Sequence, residues 1–155
     1  MRDNTLIYEL KFQKALKESQ THISRINEAF EELTKSYEFP IDKENFEKLI
    51  KNKVDLAFAD QIIYRFSKAQ DTMGAKLFKT YMLSQGENVD RPFLDILNSL
   101  EKLNILNVDE WFELREIRNE IAHDYEDNEE LALNIINSIY NHKIELEKII
   151  IYLEK

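Results

Sequence analysis

Leu114-Arg115-Glu116-Ile117-Arg118-Asn119-Glu120-Ile121-Ala122-His123-Asp124-Tyr125 is the stretch on which the reading of this chain turns. At 3.6 residues per turn, Leu114, Ile117 and Ile121 fall on one stripe with polar residues between them, the pattern of a helix that buries that stripe. Arg118 lies on the flank of the stripe. Asn119 and His123, at i and i+4, are neighbours on the more solvent-facing side. A guanidinium at the edge of a core is costly unless something pairs with it. One helix therefore presents Asn119 with His123 well and Arg118 at an angle. The long arginine side chain could close that gap, or a second copy of the helix could supply the missing partner across a two-fold axis. This geometry leads to the expectation of a homodimer.

The same period runs outward in both directions. Upstream, Asn107-Val108-Asp109-Glu110 resembles a capping box that starts the helix of Trp111 and Leu114. Asp90-Arg91-Pro92 opens another, with proline in the first turn and Phe93, Ile96, Leu97, Leu100 and Leu103 facing inward. A long helix is expected over about 54–83, Gly86 serving as its C′ residue and Gly74 marking a close crossing rather than a break. A first helix is expected over about 4–37, stopping before Pro40, with Asp42 capping a short helix after it. Downstream, Asp127-Asn128-Glu129-Glu130 restarts a last helix through Ile135, Ile139, Ile149 and Leu153. The sum is an all-α chain, an antiparallel bundle of four or five helices with short connections.

With 155 residues, no repeat and no low-complexity tract, residues 1–155 read as a single domain. Hydrophobic residues make up 43% and charged residues 33%, an ordinary globular balance, and two glycines and two prolines leave few places to turn. There is no cysteine, hence no disulfide framework and no thiolate metal site. The N-terminus lacks the basic start and apolar run of a secretory signal, and no stretch approaches the roughly 18 apolar residues of a spanning helix. A cytoplasmic protein without membrane contact is expected. The net charge of −9 counts against a general nucleic-acid binder, and DNA is not an expected partner. Any chemistry on RNA must sit in a local cationic pocket or depend on a basic partner.

Within the run, a permanent cation, an amide, an imidazole and a phenol fall inside eight residues, in a chain with three histidines. Arginine neutralises phosphate through a planar fork of donors, and histidine carries a proton near neutral pH. Those are the tools for cleaving RNA without a metal or cofactor. His123 as general base would take the proton of a ribose 2′-hydroxyl, which then attacks the adjacent phosphorus. Arg118 would neutralise charge developing on the non-bridging oxygens, and Asn119 would orient His123 or the phosphate. The bland alternative pairs Arg118 with Glu113, Glu116 or Glu120 and leaves His123 to the helix dipole.

This run resembles the R-x4-6-H signature of the HEPN superfamily, in the R-x4-H-x-Y form of HepT-like toxins: Arg118, His123, Tyr125, with polar Asn119 after the arginine. The stretches from Phe93 to Trp111 and from Arg65 to Gly74 are similar to HepT-like proteins and to nucleotidyltransferase substrate-binding partners. The resemblance spans roughly 64–140. It implies a HEPN-like bundle, dimeric, with two motifs facing one cleft. It also implies a metal-independent endoribonuclease, the toxin of a toxin–antitoxin module, neutralised by a minimal nucleotidyltransferase antitoxin that can AMPylate the motif tyrosine, matching Tyr125. A bulky anion there would block the cleft and repel RNA. The alternative it carries is a non-catalytic partner of such a nucleotidyltransferase; a plain interaction domain is the third reading.

Other residues are read more simply. Asp71 either approaches Arg118 as a supporting partner or is a solvated surface acid. Arg65 snorkels, and Trp111 belongs to core or dimer interface. His22 and His142 lack a partner at metal-ligand spacing and are read as surface residues, so no metal site is expected.

Overall fold

Four helices begin where the sequence places a capping side chain. Asp42, Asn52, Asn107 and Asn128 each turn an oxygen onto backbone N–H groups two or three residues on, satisfying donors that a first turn leaves orphaned. In the computed structural model, which describes residues 2–123 and 125–155, Asp124 of the motif run lies outside the described residues. The elements are α1 (Arg2–Leu33), α2 (Lys43–Lys51), α3 (Lys53–Thr72), α4 (Phe78–Ser84), α5 (Phe93–Lys102), α6 (Val108–Ile121) and α7 (Glu129–Leu153). Among the described residues there is no strand, and no helix is long and apolar enough to cross a membrane.

α3 and α4 are one rod joined by a π-turn over Met73–Leu77, so the described residues form six rods rather than four or five. The short α2 and α5 both match expected helices, and only the tally of four or five falls short. The N–H of Phe78 reaches back to Met73 O, a wider turn that advances the register by one residue. Consecutive Leu77 and Phe78 are both fully buried as a result. Gly86, at φ +81°, closes the rod: Glu87 N–H bonds Met82 O and Gly86 N–H bonds Leu83 O, the Schellman pattern. Two expected boundaries move. α1 ends at Leu33 rather than 37, the chain turning through residues 34–36. α5 starts at Phe93 with Pro92 as its N-cap, because Asn88 Oδ1 holds Asp90 N–H and Asn88 O accepts from Arg91 Nε in a turn of their own.

Side-chain pairs give the packing directions. Tyr37 meets Asp55, Gln61 Nε2 donates to the carbonyl of Arg25, Glu18 meets Lys76 and Phe12 meets Tyr81, so α1 runs antiparallel to the α3–α4 rod. Gln20 bonds Glu154 and Asn27 bonds Glu147, which sets α7 antiparallel to α1 as well. α6 packs on α3 and α7, and α5 on α6. Asn137 of α7 bonds both the N–H and the carbonyl of Ile41, pinning the segment before α2. The core runs unbroken through Ile26, Ile62, Phe66, Leu97, Trp111 and Ile139.

Gly74 sits where the π-turn passes the rings of α5 and α6. A Cβ there would stand 3.5 Å from Trp111 Cζ2 and 4.0 Å from Phe93 Cζ, ordinary contact distances. The close crossing read from the sequence is a crossing over rings, and it has room for one methyl. Gly74→Ala is therefore expected to raise unfolding stability by about 0.5–1 kcal/mol in urea titration. A loss of similar size would show that the π-turn itself requires glycine.

Candidate functional site

Arg118 lies in the last turn of α6 and Asp71 in the last turn of α3, and the packing of the two helices brings the side chains together. Arg118 Nε donates to Asp71 Oδ1 at 3.1 Å and Nη2 donates to Oδ2 at 3.3 Å, a two-pronged fork. Of Asp71's two readings, the approach to Arg118 is the one observed. The local glutamates Glu113, Glu116 and Glu120 make no ion pair with Arg118 among the described residues. The fork aims the guanidinium while leaving Nη1 to meet a further acceptor. Arg118 keeps 29% of its side chain exposed.

Beside the fork is a cleft of about 680 Å³ whose walls include Arg118, Asn119 and Asp71. Lys79 from α4 and Arg115 from α6 also line it, so three cations stand against one carboxylate in a chain whose net charge is −9. Arg115 precedes Arg118 by three residues and so shares its helix face. Gln70 and Trp111 also line the cleft. Both are almost fully buried, and Gln70 Nε2 and Trp111 Nε1 have no hydrogen-bond partner. A buried N–H left unmet costs about 1–3 kcal/mol. Three cations in one hollow suit an anionic ligand such as a phosphodiester.

His123 and Tyr125 lie beyond the end of α6. α6 ends at Ile121 with Ala122 as its C-cap, and His123 follows on the exposed turn, next in sequence to Ala122, which lines the cleft. Tyr125 opens a 3₁₀ turn (Tyr125–Asp127), its N–H bonded to His123 O at 2.8 Å. Its ring is half-buried in a second cavity of about 400 Å³ that Asp60, Ile63 and Glu126 also line. Burial raises its phenol above the ordinary range, with the Asp60 and Glu126 carboxylates adding to the effect. The chain thus assembles Arg118, Asn119 and Asp71 at one place, and seats Tyr125 in a different cavity.

Two histidines read as surface residues are in fact partnered. His22 is half-buried, with Arg65 Nη1 donating to its Nδ1 at 3.1 Å; burial lowers its pKa, and Arg65 and Lys68 lower it further against Glu18. Arg65 is thereby drawn to α1 rather than toward Arg118. His142 Nδ1 lies 3.1 Å from Glu145 Oε1 and 3.6 Å from Glu113 Oε2. Glu145, three residues on along one helix, was available to sequence reasoning as a partner; Glu113, on another helix, was not. The reading of the motif also passed over Gln70, Lys79 and Arg115, which local pattern does not distinguish from any helix surface. Trp111 is core, only 2% exposed. Compared with protein families, with curated proteins and with solved structures, the chain finds no match.

Proposed function

We infer that the chain is a HepT-like toxin, a metal-independent endoribonuclease of the HEPN kind, and that the Arg118 cleft receives the scissile phosphate. The observation that carries this reading is the cleft's charge. The whole chain repels RNA, and Lys79, Arg115 and Arg118 form the local cationic pocket that such chemistry requires. Arg118 would stabilise the developing phosphorane charge, its angle held by Asp71, and Asn119 would orient the phosphate. His123 would serve as base in a homodimer, where the imidazole of one protomer completes the cleft of the other. Its position on an exposed turn is compatible with reaching across such an interface. In this reading a nucleotidyltransferase antitoxin silences the protein by AMPylating Tyr125, adding an anion beside Asp60 and Glu126.

The test uses purified protein, labelled single-stranded RNA and EDTA. Breaking of the P–O5′ bond is expected to leave 2′,3′-cyclic phosphate and protonated 5′-hydroxyl ends, with His123→Ala slower by about 10²–10⁴-fold. Intact RNA, or a His123→Ala protein that cuts at the wild-type rate, would overturn the reading.

The seating of Tyr125 in a cavity other than the Arg118 cleft favours a second reading, a non-catalytic partner of a nucleotidyltransferase. RNA left uncut, together with a stable complex on co-expression with such an enzyme, would establish it instead.

A further inference from the structure

We propose that Glu113, His142 and Glu145 bind one divalent transition-metal ion of the zinc class, a structural ion that clamps α6 to α7. His142 and Glu145 are three residues apart on α7 and share a face of it, and Glu113 of α6 projects toward the same point. His142 Nδ1 is 3.1 Å from Glu145 Oε1 and 3.6 Å from Glu113 Oε2, and the three donor atoms lie within 4.8 Å of one another. With Zn–N and Zn–O bonds of about 2.0–2.2 Å, donors around a tetrahedral ion stand about 3.2–3.5 Å apart. The two separations from Nδ1 bracket that edge. The carboxylate of Glu113 is 56% exposed and free to swing the remaining distance.

Two further observations point to a cation. Glu145 keeps only 16% of its side chain exposed, and its Oε2 is buried with no hydrogen-bond partner. The second is the charge balance: the carboxylates of Glu113 and Glu145 both face a single imidazole, which even when protonated leaves negative charge in excess. A mixed nitrogen and oxygen donor set without thiolate suits zinc and its first-row neighbours.

The ion would close the chain between Glu113 and His142, the segment that holds Arg118, Asn119, His123 and Tyr125. Its effect would be to hold the end of α6, and the turn after it, against α7. The inference is independent of the ribonuclease reading, because it concerns the fixing of two helices and not the cleft.

The competing explanation is a proton on His142 shared between the two carboxylates, and metal titration separates the two. Protein stripped with chelator and dialysed would be titrated with ZnCl₂ by calorimetry and melted with and without the metal. One ion per chain and a rise in Tm of about 5 °C are expected at a hundredfold excess of free metal over Kd. His142→Ala should abolish both, and Glu113→Gln, altering an exposed carboxylate that folding tolerates, should weaken binding at least tenfold. His22→Ala should bind as the wild type does. Absence of binding, or binding that survives both His142→Ala and Glu113→Gln, would overturn the proposal, the second outcome meaning an adventitious ion only. Cobalt in place of zinc should give the visible absorption of a low-symmetry site, lost in His142→Ala.

Discussion

Arg118→Ala is expected to lower RNA cleavage about a thousandfold or more while the protein stays folded. Removing one preorganised donor from a site of developing negative charge costs about 10²–10³ in rate, and an arginine serving phosphoryl transfer as much as 10³–10⁵. The fold should survive because the Arg118–Asp71 pair is partly exposed, at 29% and 52% of the two side chains, where an ion pair contributes about 1 kcal/mol or less. Arg118→Lys should restore little, since an ammonium cannot form the two-pronged bond to Asp71 and still present a planar edge to phosphate. Asp71→Ala should give an intermediate loss of about tenfold, the guanidinium remaining but no longer aimed. Single-turnover cleavage, with circular dichroism to confirm folding, measures all three. An Arg118→Ala protein that cuts RNA at the wild-type rate would remove this residue from the mechanism.

The largest effect on stability is expected from Trp111→Ala, at about 3–5 kcal/mol. Trp111 is 2% exposed, and its ring meets Phe78 edge-on at 4.8 Å between centroids. Its truncation would open a cavity between α6 and the π-turn and withdraw the wall that Gly74 packs against. Domains of this size have about 5–15 kcal/mol in total, so the variant should unfold at much lower urea concentration. As this is the chain's single tryptophan, the transition would be followed by circular dichroism. Trp111→Phe should cost far less, because it keeps a ring against Phe78 and deletes the buried Nε1–H that has no partner. Equal losses in the two variants would show that ring packing is not what Trp111 supplies.

The helical reading rested on short-range chemistry, and the structure follows it closely. Asp42, Asn107 and Asn128 cap the helices they precede, and Gly86 ends its rod, because each acts on backbone groups within a few residues. The stripe of Leu114 and Ile117 is buried as its period requires. Where the reading moved, a local competitor was at work: Asn88 built its own turn before α5, and the rod through Gly74 took a wider turn that no periodicity announces.

The site was legible only in part. Arg118 and Asn119 stood out as residue types in a pattern, and Asp71 was one of two readings. Lys79, Arg115 and Gln70 gave no local signal, since the cleft is made where three rods meet, the α3–α4 rod, α5 and α6. The expectation of one motif acting together meets a chain in which Tyr125 opens on a different cavity from Arg118. Helix α6 ends at Ile121, before His123 and Tyr125, so its period does not extend to them.

By itself, the order of residues determined that this chain is helical, where most helices start and stop, and that an arginine, an amide, an imidazole and a phenol follow one another on its sixth helix and the turn beyond. Tertiary structure alone decided that Asp71 grips Arg118, that three cations share a hollow, and that Glu113 faces His142 and Glu145 across a helix seam. The physical reason is range. Capping and periodicity act over a turn or so of backbone, whereas partners 47 residues apart, as Asp71 and Arg118 are, meet only through the angle at which packed side chains let two helices cross.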